Sequence, residues 1–192
     1  MKRCIALFHQ GWADWEAGFV LAALRDYFGF AVRIATPGGW EAASIGGVRA
    51  LGDLSFAAVE PDDLDLLLVI GSASWMSEEN PEVVALLRAT AGAGKPIGAI
   101  CAGTLAAARA GLLENHPHTS NALDFLQARA DGYGGADHYV DTPRAVTGGR
   151  VVTAPGSAPA SFSVAVLRAV LPDQTEMIDG YERMLRLEHA AA

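Results

Sequence analysis

Short, unbroken apolar runs alternate along the chain with longer stretches in which apolar residues recur every three or four positions. "CIALF" (4–8), "LDLLLVIG" (64–71) and "KPIGAIC" (95–101) have the continuous hydrophobicity of strands covered on both faces. "FAVRIAT" (30–36), closed by "PGG", and "GRVVTAPG" (149–156) predict two more. Between them, Asp14 is expected to cap a helix running to about Tyr27, with Phe19, Ala22, Ala23 and Tyr27 at helical spacing. "NPEVVALLRATAGAG" predicts a helix with Pro81 in its first turn and glycines at its end. Further helices are expected at 102–111, about 122–131, 157–170 and 173–189, a hairpin around Gly46-Gly47 in 40–52, and short strands at "HYV" (138–140) and "RAV" (144–146). Strands alternating with helices predict an α/β chain, a three-layer α/β/α sandwich around a mostly parallel sheet.

Composition narrows the picture. The 192 residues suit one domain spanning 1–192, and a hydrophobic content of 51% can fill its core. The formal charge of -8 comes from scattered acids, and no run of Lys and Arg forms a phosphate-binding stripe, so nucleic acid and anionic membrane surfaces are not expected partners. The apolar run after Met1-Lys2-Arg3 is shorter than a signal-peptide core of ~7–15 residues, and no segment approaches the ~18 needed to span a bilayer. A cytoplasmic location is the expectation. Cys4 and Cys101 are too few for a disulfide framework, and no Cys/His spacing suggests a zinc site, so two reduced thiols and no metal or cofactor are expected.

In a parallel sheet the reactive crevice lies beyond the carboxyl ends of the strands, which directs attention to loops 9–16, 71–77, 101–104, 116–121 and 153–159. Cys101 ends the run "PIGAI" and is followed at once by "AGTLAAARAG", placing it at a strand-to-helix turn of the nucleophile-elbow type. Small neighbours, Ala99, Ala102 and Gly103, allow close approach. A helix starting just after a thiol favours thiolate, and the Ala102 amide points where an oxyanion would form. By itself the turn also suits an inert core cysteine. Cys4, inside a strand, reads as core.

Four segments occur in order: "ALFHQGWADWE" (6–16), "LLVIGSASW" (67–75), "GAICAGTLAAARAGLL" (98–113) and "RAVTGGRVVTAPGSAPASF" (144–162). Together they resemble the DJ-1/PfpI family, relatives of the class I glutamine amidotransferase domain, over nearly the whole chain. The resemblance implies a flavodoxin-like sandwich, a homodimer, and a reactive cysteine at Cys101. It also implies a first-loop acid at Glu16 and an oxyanion-binding loop at Ile70-Gly71-Ser72, where serine replaces the second glycine of the family's "PGG" and its hydroxyl adds a polar group. A buried carboxyl beside a thiol stays protonated and donates a hydrogen bond to S⁻.

Many hydrolytic relatives carry a histidine directly after the cysteine or on the strand following the elbow helix. Here Ala102 follows Cys101, and "HTSN" puts Asn121 at the second position, where it cannot act as a base. His118 is the possible substitute. "HPH" at 116 and 118 lacks a third metal ligand nearby, while His9 and His138 suit packing. Trp12, Trp15 and Trp75 fall on loops flanking the crevice, as an apolar pocket wall or as packing. Two functions follow. One is an enzyme in which Cys101 attacks a small electrophile (amidohydrolase, glyoxalase or hydratase chemistry), Glu16 handles the proton, and the Ser72 and Ala102 amides hold the negative charge. The other is a non-enzymatic sensor that responds to oxidative stress through oxidation of Cys101.

Overall fold

The computed structural model describes residues 1–187. Among the described residues nine strands form in chain order: β1 (Arg3–Leu7), β2 (Ala31–Thr36), β3 (Ala42–Ala43), β4 (Arg49–Ala50), β5 (Leu54–Ser55), β6 (Leu66–Val69), β7 (Ile97–Ile100), β8 (Val146–Gly148) and β9 (Val151–Ala154). The α-helices are α1 (Asp14–Ala22), α2 (Ser74–Ser77), α3 (Pro81–Gly92), α4 (Thr104–Arg109), α5 (Leu123–Arg129), α6 (Pro159–Val170) and α7 (Thr175–Arg186). Seven strands build the main sheet in the order β5-β2-β1-β6-β7-β9-β8. All its pairs are parallel except β8 with β9. This is the α/β sandwich that the pattern predicts, in the flavodoxin-like form that the family resemblance implies.

The unbroken runs work because their alternate residues serve opposite layers. Cys4, Ala6 and Phe8 join Leu66, Leu68 and Ile70 in a core beneath α1, α6 and α7. Ile5 and Leu7 join Leu67 and Val69 in a second core beneath α3, α4 and α5. Burial on both faces is what a central parallel strand requires. Tight packing explains Gly98 in β7: a Cβ there would lie 2.8 Å from Leu68 and 2.9 Å from Val166.

Several elements differ from expectation. Asp14 begins α1 rather than capping it. Its carboxylate reaches across to the hairpin, accepting from Ser44 Oγ at 2.5 Å and Gly46 N at 2.8 Å. The α1 helix loosens into a π turn at Ala23–Tyr27, closed by Phe28 N to Ala23 O. The hairpin at 40–52 forms, as β3 and β4. "HYV" is no strand. Ala136–His138 is a 3-10 turn, and Tyr139 makes a lone parallel bridge to His118. The "RAV" strand starts only at Val146 and continues to Gly148. The edge strand β5 and the one-turn helix α2 were not expected. Positions 188–189 of the last expected helix lie outside the described residues.

Candidate active site

Because β1, β6, β7 and β9 run parallel, the segments that follow them meet at one edge of the sheet. The segment after β1 leads into α1 and brings Glu16. The one after β6 brings Gly71 and Ser72, and the one after β9 brings Gly156. Cys101 follows β7 directly.

Cys101 has φ of +56°, in the left-handed region that is costly for a residue with a Cβ. A 3-10 turn, Cys101–Gly103, then leads into α4. The backbone is held there by a pair of buried hydroxyls: Thr104 Oγ1 donates to Cys101 O at 2.6 Å and lies 2.7 Å from Ser120 Oγ. Gly103 lets the turn close, since a Cβ on it would fall 2.5 Å from Val69 O. The Cys101 side chain packs against both cores.

Glu16 is fully buried on the first turn of α1. Its Oε2 accepts from Gly71 N at 2.8 Å, while Oε1 has no nitrogen or oxygen partner among the described residues. Burial pushes the carboxyl up to about 7, against the pull of the Cys101 thiol and the Gly71 amide. Burial, followed by the charge of the Glu16 carboxylate, pushes the Cys101 thiol up to about 11, while Asn121 and the Ala102 amide pull it down. Burial and the Glu16 charge thus oppose the thiolate that the strand-to-helix turn is expected to favour. The turn after Cys101 is 3-10 and α4 has only six residues, so their amides do not offset desolvation. One negative charge is comfortable in the pair and two are not.

Asn121 completes the constellation. Its Nδ2 donates to Cys101 Sγ at 3.2 Å and its Oδ1 accepts from Gly156 N at 2.9 Å. Gly156 closes the site from above, where a Cβ would stand 2.8 Å from Sγ and 2.9 Å from Glu16 Oε1. Gly71 closes it from the side, where a Cβ would stand 2.3 Å from Glu16 Oε2 and 2.7 Å from Cys101 Cβ. Half-exposed Trp15 donates from Nε1 to Gly156 O at 2.9 Å.

Other candidates lie elsewhere. His118 is buried and committed: Nδ1 meets His116 O at 2.8 Å, and Nε2 meets Tyr133 Oη at 2.6 Å. It is not a partner of Cys101, and burial lowers its pKa. Trp12 and Trp75 are not pocket walls. Trp75 has no exposed surface, stacks on Phe56 and donates to Ile70 O at 2.7 Å. Trp12 packs on Phe8 and donates to Ala42 O at 3.2 Å. Each indole turned inward because a backbone carbonyl satisfied its N–H. The Ser72 hydroxyl also points away, donating to Gln10 O at 2.5 Å, so it adds no polar group to the site. His9 is buried beside Trp75 with Nε2 3.1 Å from Glu78 Oε2. Cys4 is free and wholly buried, with its thiol pushed far up by desolvation, as a core residue should be. Among the described residues no group of three or more His, Cys, Asp or Glu gathers as a metal site, and no helix is long and apolar enough to cross a membrane.

Sequence reading missed Gly156 and the Thr104–Ser120 pair. Gly156 stands inside the quoted "TAPGSAPASF", where a glycine between two turn residues signals close backbone approach. The hydroxyl pair spans 16 positions and carries no local signal.

Residues 1–169 match the model of the DJ-1/PfpI family. The "Uncharacterized protease YoaZ" of Bacillus subtilis (strain 168) is 31% identical over 174 residues, 87% of this chain and 82% of its own. The "Uncharacterized protease YdeA" of the same organism is 31% identical over 179 residues, 93% of this chain and 88% of its own. The crystal structure of the DJ-1 superfamily protein Atu0886 from Agrobacterium tumefaciens superposes with a TM-score of 0.90 at 35% identity, covering 98% of this chain and 100% of that one.

Proposed function

The chain belongs to the DJ-1/PfpI family, and from that premise we propose that it is a cysteine-dependent enzyme acting on a small electrophile through Cys101 and Glu16. The observation that carries this reading is the strained Cys101 backbone, at φ of +56°, set against a buried carboxyl whose Oε1 has no nitrogen or oxygen partner among the described residues. Strain of this kind persists where the surrounding structure over-determines it, and such positions cluster at active sites.

The chemistry follows from the pair. At neutral pH the sulfur rests as a thiol beside a carboxyl poised near 7, where a general acid–base works best. As the sulfur bonds to an electrophilic carbon, its proton passes to the Glu16 carboxylate, so the pair keeps a single negative charge until the substrate takes it. The Ser72 and Ala102 amides hold the charge that develops on the substrate, and the Glu16 carboxyl then returns the proton. Aldehyde, amide and isonitrile carbons all fit this sequence, and Gly71 and Gly156, closed down on the sulfur, favour a small group.

The word protease belongs to the names of two relatives. Here the side chain on the sulfur is Asn121, which cannot take a proton, and this argues for a small-molecule substrate over a peptide. Oxidation sensing requires a thiolate at rest, and burial of Cys101 works against it. We further propose that the chain acts as a homodimer.

Methylglyoxal, glutamine and an isonitrile, each assayed with wild type and with Cys101→Ala, test the proposal. Turnover of one of them is expected, with loss of at least about a thousandfold in the variant. Full activity of Cys101→Ala would overturn it.

A further inference from the structure

We propose that Asn121 is the fixed hydrogen-bond donor of the reactive sulfur, and that the Gly156 amide and the Trp15 indole set its orientation. A side-chain amide has two ends of opposite character, and its neighbours decide which end faces where. Gly156 N–H can only donate, so the end it meets at 2.9 Å is Oδ1. The end 3.2 Å from Cys101 Sγ is therefore Nδ2, a donor. Gly156 is itself anchored: its carbonyl accepts Trp15 Nε1 at 2.9 Å, and its Cα faces Sγ and Glu16 Oε1 with no space for a side chain. Trp15 precedes Glu16 on α1, so one helix turn positions both sides of the sulfur.

This divides the work. Nδ2–H cannot accept the thiol proton, which is left to Glu16, but it stabilises negative charge on the sulfur once the proton has gone. Asn121 thus occupies the place of a histidine base with a donor of fixed polarity. The groups acting on the sulfur are Glu16 from α1, which is titratable, and the neutral Asn121 and Ala102 amides.

The inference rests on Cys101 being the reactive thiol, but its test needs no substrate. Iodoacetamide alkylates a thiolate: the S–C bond forms as C–I breaks, iodide leaves, and the thiol proton has passed to Glu16 or solvent. The rate at Cys101, followed by peptide mass against pH, is compared for wild type, Asn121→Ala, Asn121→Asp and Trp15→Phe. Asn121→Ala is expected to raise the apparent pKa of alkylation by about one unit and slow the reaction about threefold below that pKa. Asn121→Asp, which puts a carboxylate oxygen at the sulfur, shifts it further, and Trp15→Phe shifts it less in the same direction. Asn121 is exposed, so its substitution leaves the core intact, and circular dichroism checks this. Variant profiles that coincide with a reactive wild type overturn the inference alone. A wild-type Cys101 that resists alkylation at every pH, yet reacts in the denatured chain, overturns this inference together with the proposed nucleophile.

Discussion

Glu16 pays for its position with stability that depends on pH. Its folded carboxyl is raised by burial from an ordinary 4.5 to about 7, so the folded chain keeps this proton after the unfolded chain has lost it. The contribution is complete below about 4.5 and is lost as the pH climbs through about 7. At about 1.4 kcal/mol per unit, the loss amounts to roughly 3 kcal/mol. Glu16→Gln keeps the acceptor for Gly71 N and removes the titration. Urea unfolding is expected to show the variant gaining up to about 3 kcal/mol over wild type at pH 8, with little difference in mild acid. Turnover should fall in the variant at every pH. At this scale the family resemblance located Cys101, Glu16 and Asn121, which the fold brings together, but not the donor role proposed for Asn121. Trp12 and Trp75 were not, since sequence cannot say which way an amphipathic ring turns, and here the carbonyls of Ala42 and Ile70 decided it.

Among elements, the crevice is shaped by backbone brought too close for side chains. Gly156→Ala would drive a Cβ to 2.8 Å from Sγ, and Gly71→Ala would drive one to 2.3 Å from a Glu16 oxygen already bound to its own amide. Each is expected to cost about 1–3 kcal/mol in urea unfolding and to abolish turnover. Gly18, on α1 with nothing within 4 Å of its added Cβ, provides the contrast. Gly18→Ala should gain about 0.5–1 kcal/mol with activity retained. The same scale shows where pattern reading succeeds. β1, β6 and β7 were legible because strands buried on both faces must be continuously apolar. β5 was not, because a two-residue edge strand in "GDLSFAAVE" has no period to detect. "HYV" looked like a strand, but Tyr139 is placed by its edge contact with His118 and its hydroxyl bond to Ser120 O at 3.3 Å, packing that no local pattern reports.

For the whole molecule, the sandwich was legible from the order of runs, while its surface was not. The hairpin of β3 and β4 presents Trp40, Ile45, Val48 and Leu51, all more than half exposed, on a chain of net charge -8. Large apolar side chains exposed along one hairpin suit association. With the proposed homodimer formed through this hairpin, Ile45→Asp combined with Val48→Asp should shift the mass in light scattering from dimer to monomer. A dimer that persists in the double variant would place the interface elsewhere. The two apolar cores are separated by the sheet, and substitutions in one should add to those in the other. Cys101 is in contact with both. A thiol set in the seam between two layers can be retuned from either side, by substitutions beneath α3 and α4 or beneath α1 and α6, while Glu16 and Asn121 stay as they are.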